Sequence, residues 1–186
     1  FIMNDSYVRV LGWVLFSDNI SCNFSRRKTI LEWTMKLFRL EQAQILPISV
    51  EEAWAFFSDP RNLAQITPPE LNLIPSSRVP QTMHAGLVIV YKVKILPLIY
   101  VNWVTEITQM DMPHFFVDEQ RFGPYKFWHH LHRFSACDGG VLAEDLIHYG
   151  LYGGPFSPLI NTLLVKQQLN RVFEFRKGVL EQLFGI

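Results

Sequence analysis

Gln120 to Phe134 reads QRFGPYKFWHHLHRF and carries three of the six histidines of the chain. Gly123-Pro124 joins two arms in which apolar residues alternate, the signature of a β-hairpin. Side chains two apart on a strand share a face. Trp128, His130, His132 and Phe134 therefore point one way, and His129, Leu131 and Arg133 the other. One face of the second arm is aromatic and titratable at once.

Outward from this hairpin, strand patterns cover Leu71 to Pro75, Leu87 to Leu96, Ile99 to Gln109, His114 to Phe122, Tyr125 to Ala136 and Val141 to Leu151. Turn chemistry separates them at His84-Ala85-Gly86, Pro97, Met112-Pro113, Gly123-Pro124 and Asp138-Gly139-Gly140. Connections this short make antiparallel neighbours. Upstream, Lys36 to Leu46 alternates as a first strand and stops at Pro47. Ser49-Val50-Glu51-Glu52 then opens a helix with a capping box, Ser49 as cap and Glu52 three residues on. Asp59-Pro60 ends it, because proline restricts the residue before it. A second short helix is expected over Asn62 to Ile66, closed by Thr67-Pro68-Pro69.

After Gly153-Gly154-Pro155 the period becomes helical. Ser157 or Asn161 can cap a long helix whose apolar residues include Ile160, Leu164, Val172, Val179, Leu180 and Leu183, ending near Gly185. Lys166, Gln167, Arg171, Glu174, Lys177 and Glu181 form its other face. Such a helix is stable only when its apolar stripe lies on something, here the sheet. The order strand, two short helices, six strands, long helix makes an α+β fold with a seven-stranded antiparallel sheet.

The chain has 186 residues, a formal net charge of zero and 49% hydrophobic content, which suits one globular domain and argues against nucleic acid as a partner. Cys22 and Cys137 lie far apart and outside any CxxC spacing, as expected of free thiols in a reducing, cytoplasmic setting. No run reaches the roughly 18 apolar residues of a membrane helix. Val8 to Phe16 and Leu87 to Val101 come nearest, interrupted by Arg9 and by Lys92, Lys94 and Pro97. Residues 1–34 differ in character and read as an N-terminal extension, with 35–186 as the single domain. Asn19-Ile20-Ser21 and Asn23-Phe24-Ser25 match the glycosylation tripeptide, and Arg26-Arg27-Lys28 is a lone basic cluster that reads as a solvated face.

Particular words carry a family resemblance. Ala55-Phe56-Phe57-Ser58-Asp59-Pro60 with Asn62-Leu63 and Ile66-Thr67-Pro68-Pro69 is one; Gly123-Pro124-Tyr125 with Trp128-His129-His130 and His132 is another. Asp145, Tyr149, Gly154-Pro155 and Phe173 through Phe184-Gly185 continue it. From Met35 to Gly185 the chain resembles the START-like or SRPBCC superfamily, the helix-grip fold of the major birch pollen allergen, START lipid-transfer domains and polyketide cyclases. It is most similar to small bacterial ligand-binding SRPBCC domain proteins. The resemblance implies a cavity enclosed between a concave sheet and the long C-terminal helix, with the two short helices at its opening. It implies no particular catalytic residues, since these differ among family members.

Strand alternation sets Asp118 and Gln120 on the face of Phe116, and Asp145 and Tyr149 on the face of Ile147. With Phe134 and Ile147 inward, His130, His132, Asp145 and Tyr149 form a polar island in an apolar cup. A buried Asp or His must find a partner, since an unsatisfied one costs on the order of 1–3 kcal/mol or more. An Asp145–histidine hydrogen bond would serve as a structural network, as ligand-orienting contacts or as an acid/base pair, and all three stay open. His130, His132 and Asp118 or Asp145 supply at most three metal ligands, with no fourth evident, so no metal and no other cofactor is expected. Tyr91, Trp103 and Thr105 share strand faces with Ile89, Val93 and Ile107 and suit either a cavity wall or an ordinary core.

The function expected is binding or carrying of a small hydrophobic or aromatic ligand, such as a lipid, quinone or polyketide-like molecule. Tyr91, Trp103, Thr105, Asp118, Gln120, Trp128, His130, His132, Asp145 and Tyr149 are the candidate contacts. One alternative is a polyketide cyclase, aromatase or dehydratase with His130 or His132 as base and Asp145 as orienter. Another is an interaction module, acting on a partner protein or as a homodimer.

Overall fold

The computed structural model describes residues 7–8, 35–76 and 78–185. The glycosylation tripeptides, the basic cluster and Cys22 lie outside them. Eight strands form one antiparallel sheet: β1 (Tyr7–Val8), β2 (Met35–Leu46), β3 (Ile74–Pro75), β4 (Val88–Leu96), β5 (Ile99–Asp111), β6 (Phe115–Phe122), β7 (Phe127–Cys137) and β8 (Gly140–Gly150). Their spatial order is β1-β2-β8-β7-β6-β5-β4-β3. From β4 to β8 each strand pairs with its sequence neighbour, as short turns require, and β2 returns beside β8 with Gln42 opposite Asp145. The seven strands expected from residue 35 onward are present, and β1 adds two residues against Met35 and Lys36.

Two expected elements change form. Pro60 at the first position and Asp59 as cap tighten the second short helix into a 3-10 turn over Pro60–Ala64, with the Arg61 N–H donating to Asp59 Oδ1 at 3.0 Å. The strand expected from Leu71 shrinks to Ile74–Pro75, because Pro69–Leu71 forms another 3-10 turn that Asn72 closes at φ 42°. The helix α1 (Val50–Phe57) follows the capping box: Glu52 N–H donates to Ser49 Oγ at 3.2 Å, and Ser49 N–H to Glu52 Oε2 at 2.9 Å. Ser49→Ala leaves one of those amides without its acceptor. We expect a loss of about 1 kcal/mol, read as a lower urea midpoint with an unchanged m-value.

The C-terminal helix runs as α2 (Ser157–Ile160), a π turn (Asn161–Val165) and α3 (Lys166–Phe184). The buried residues of α3 are Leu169, Phe173, Arg176 and Leu180, at spacings of four, three and four. That is a core-facing stripe with an arginine in it. Leu164 and Leu183, expected on the stripe, are 62% and 49% exposed. Leu164 sits in the π turn, whose wider winding shifts the phase of the residues before α3. Leu183 falls beyond the last buried turn.

Between sheet and helices the core divides in two. Leu46, Ala53, Trp54, Phe116, Phe134, Val141, Ala143 and Leu180 belong to one apolar cluster. Tyr125, Trp128, Ile147, Tyr149, Leu169 and Phe173 belong to the other. Along β7 the inward order is Trp128, His130, His132, Phe134; along β8 it is Tyr149, Ile147, Asp145, Ala143; along α3 it is Phe173, Arg176, Leu180. A polar layer thus separates the two apolar clusters. One hollow of about 560 Å³ is lined by Pro47 to Glu52 with Ala136, Cys137, Gly139 and Gly140, and another of about 180 Å³ by Met35, Lys36, Lys126, Leu151 to Gly154 and Ser157. Neither is lined by His130 or His132.

Candidate functional site

Register assembles the polar layer. On β6 and β7, Asp118 pairs with His130 and Phe116 with His132; on β7 and β8, His132 pairs with Asp145. His130 and His132, two apart on one strand, stand side by side with ring centroids 3.7 Å apart, and His132 stacks on Phe116 at 4.2 Å. His130 Nε2 meets Asp145 Oδ1 at 2.7 Å and His132 Nε2 meets Asp118 Oδ2 at 2.9 Å, both as hydrogen bonds. The remaining ring nitrogens are also close to carboxylates: His130 Nδ1 is 3.3 Å from Asp118 Oδ2, and His132 Nδ1 is 3.0 Å from Asp145 Oδ1. Two carboxylates and two imidazoles form a closed ring of four.

Each carboxylate has further support. Trp128 Nε1–H donates to Asp118 Oδ1 at 3.2 Å, and the Thr105 hydroxyl reaches the same oxygen at 3.4 Å. From α3, Arg176 Nη1 donates to Asp145 Oδ1 at 3.4 Å, while its guanidinium lies 4.7 Å from the centre of the Phe173 ring. Arg176 Nε is buried with no hydrogen-bond partner. This orphan ties the arginine to the layer by charge more than by a full set of hydrogen bonds.

Charge pairing overrides burial in this layer. Burial alone would push the Asp118 carboxyl up, but the charges of His130 and His132 and their hydrogen bonds hold it far below the ordinary carboxylate range. Asp145 is likewise pulled well below that range, against burial, by hydrogen bonds from His130 and His132 and by the Arg176 charge. Burial would lower His130; the Asp118 carboxylate, together with hydrogen bonds to Asp118 and Asp145, outweighs it and holds His130 above its ordinary value.

The ten sequence candidates divide into groups. Thr105, Asp118, Trp128, His130, His132 and Asp145 meet in the polar layer. Trp103 stands beside it in an aromatic group, 5.2 Å from Trp128 and 5.6 Å from Tyr125. Tyr149 donates its hydroxyl hydrogen to Asn161 Oδ1 at 2.7 Å, pinning the π turn to the sheet. Gln120 instead closes the hairpin, its Nε2–H donating to Tyr125 O at 2.6 Å. Tyr91 is buried on β4, its hydroxyl 3.5 Å from Pro60 O, and burial pushes it up to about 12. Arg176 escaped the sequence reading, and Asn161, expected as a candidate helix cap, instead lies in the π turn as the acceptor of Tyr149. Arg176 had a signal, a cation in phase with Leu169, Phe173 and Leu180 on the buried stripe.

No family model matches the chain, and no curated protein matches it in sequence. Solved structures do match in fold. Protein Ms6760 from Mycobacterium smegmatis is 18% identical, with a TM-score of 0.56 over 78% of this chain and 89% of that one. A point mutant of norcoclaurine synthase from Thalictrum, in complex with a transition state analogue, is 11% identical, with a TM-score of 0.56 over 80% and 96%. The di-domain ARO/CYC BexL of the BE-7585A biosynthetic pathway is 12% identical, with a TM-score of 0.59 over 81% of this chain and 50% of that one. The chain adopts the helix-grip fold, an antiparallel sheet gripping a long C-terminal helix. No described helix is long and apolar enough to cross a membrane.

Proposed function

We propose that residues 35–186 form a cytoplasmic module that binds a small apolar or aromatic ligand beneath the first turns of the C-terminal helix. One observation carries this reading. Phe38, Trp103, Tyr125, Trp128 and Tyr149 make a connected aromatic wall, with Phe38 and Trp103 only half-buried. The π turn pinned to Tyr149 brings Ile160 and Val165, at its two ends, onto that aromatic cluster. A π turn is rare in helices and recurs at functional sites. The half-covered rings of Phe38 and Trp103 are apolar surface that a ligand would remove from water, at about 25 cal/mol per Å² before ordering costs.

The same fold in norcoclaurine synthase, solved with a transition state analogue, and in the ARO/CYC protein BexL supports a small-molecule ligand. Cys137 is a free thiol, in keeping with the cytoplasmic assignment. The catalytic alternative has less support. Every ring nitrogen of His130 and His132 already faces a carboxylate, which leaves none free to take a proton from a substrate.

The dye 1-anilinonaphthalene-8-sulfonate tests the site. Saturable binding at one molecule per chain is expected, with affinity about tenfold weaker in Trp103→Ala, the equivalent of about 1.4 kcal/mol. Near-ultraviolet circular dichroism must stay native in both proteins, because loosened cores also bind this dye. Unsaturable binding, or binding indifferent to Trp103→Ala in the native protein, overturns the reading.

A further inference from the structure

Asp145 determines where the imidazole hydrogens lie. Its Oδ1 faces His130 Nε2 at 2.7 Å and His132 Nδ1 at 3.0 Å, and an ionised carboxylate can only accept. Both rings therefore direct an N–H toward Asp145. Their opposite nitrogens, His130 Nδ1 and His132 Nε2, face Asp118 Oδ2 at 3.3 and 2.9 Å. With both imidazoles neutral, two ring lone pairs and a carboxylate oxygen would converge on one small volume. Acceptors that face one another need positive charge between them, and either two protons or one divalent cation can supply it.

We propose that Asp118, His130 and His132 bind a single divalent metal ion of the zinc type, with Asp145 as the positioning residue for both imidazoles. The ligand set offers two neutral nitrogens and one carboxylate oxygen, and their ligating atoms lie within 4.8 Å of one another. Ligands of tetrahedral zinc at 2.0–2.1 Å stand about 3.4 Å apart; Asp118 Oδ2, 3.3 Å from His130 Nδ1 and 2.9 Å from His132 Nε2, is already near that separation, and all three ligating atoms lie within 4.8 Å. Among the described residues no fourth protein ligand joins these three. Three protein ligands with a fourth place for water or a bound oxygen is the arrangement of reactive zinc sites, so that lack does not exclude the metal.

The surroundings favour this side of the ring over the other. Arg176 sits 3.4 Å from Asp145 and repels a cation there, while Asp118 has no basic side chain beyond the two histidines among its hydrogen-bond and ion-pair partners. Trp128 Nε1–H and the Thr105 hydroxyl hold the other oxygen of Asp118, and Asp145 holds the N–H of each imidazole. These are the outer-shell partners that orient metal ligands. Charge also balances. A dication entering as the two Asp118-facing hydrogens leave to solvent keeps the buried cluster at the same net charge, one positive with Arg176 included.

The test uses the full chain stripped with chelator, then Zn²⁺ alone. One zinc per chain should survive desalting, as counted by elemental analysis. Long-range ¹H–¹⁵N spectra of the unaltered protein should show two imidazoles ligating, His130 through Nδ1 and His132 through Nε2. Asp118→Asn should weaken zinc at least tenfold. Asp145→Asn should weaken it about 10- to 100-fold and shift the visible bands of the Co²⁺ form, since it reorients both rings. His129→Ala, on the opposite sheet face beside His148, should leave binding unchanged. Folded protein that retains no zinc overturns the proposal, as does zinc that moves other imidazoles or is lost with His129→Ala and not with Asp118→Asn.

Discussion

Asp145→Ala should destabilise the metal-free protein by about 3–5 kcal/mol, a large part of the 5–15 kcal/mol that holds a typical domain together. The cost comes from what stays behind. Without Asp145, His130 Nε2 and His132 Nδ1 lose their acceptor, and Arg176, with Nε already unpartnered, keeps a buried charge with no counter-charge within hydrogen-bond reach. Breaking one partner out of a buried ionic network is costly because the others cannot return to water. Arg121 with Glu106 and Glu119 is the contrast, an ion-pair group on the outer surface with the Arg121 side chain 47% exposed. Removing Arg121 should cost under about 1 kcal/mol. Urea unfolding checks both, and at roughly 2–4 °C per kcal/mol the Asp145 variant should melt roughly 10 °C lower. A loss below 1 kcal/mol would mean that water reaches the layer and screens it.

The polar layer also marks how far the sequence could be read. Alternation along β7 determined that His130 and His132 share the face of Trp128 and Phe134, because a strand's period of two leaves no other choice. It likewise aligned Asp118 with Phe116 and Asp145 with Ile147. Which carboxylate meets which imidazole depended on registers across β6, β7 and β8, set by the hairpin turn and by Gly139-Gly140, and a shift of two residues would have kept every face while changing every pair. Arg176 was harder, since helical periodicity assigns a cation to the solvent face by default. The stretch from Leu71 to Pro75 misled for a local reason, because apolar content there competed with Pro68-Pro69 and the prolines won. Gln120 shared the inward face by count, yet the turn at Gly123 brings the Tyr125 backbone within its reach, and the hairpin takes it.

The same network should give the chelator-treated protein a stability optimum between about pH 4.5 and 6.5, with losses on both sides for different reasons. Asp118 and Asp145 titrate in the folded protein below their unfolded value of about 3.9. Their contribution is therefore complete above that value and lost as pH falls toward the depressed folded values. His130 titrates above its unfolded value of about 6.5. Its contribution is complete below about 6.5 and lost as pH rises through the raised folded value. A melting temperature that falls between about pH 6.5 and 9 is the expected reading of that loss. Asp118→Asn with Asp145→Asn should abolish the alkaline fall, because a buried imidazolium with no carboxylate beside it has nothing to hold its proton. Stability that instead rises from pH 6 to 8 in the unaltered protein would mean that His130 is neutral when folded. The ring of four would then be held by hydrogen bonds without imidazolium charge.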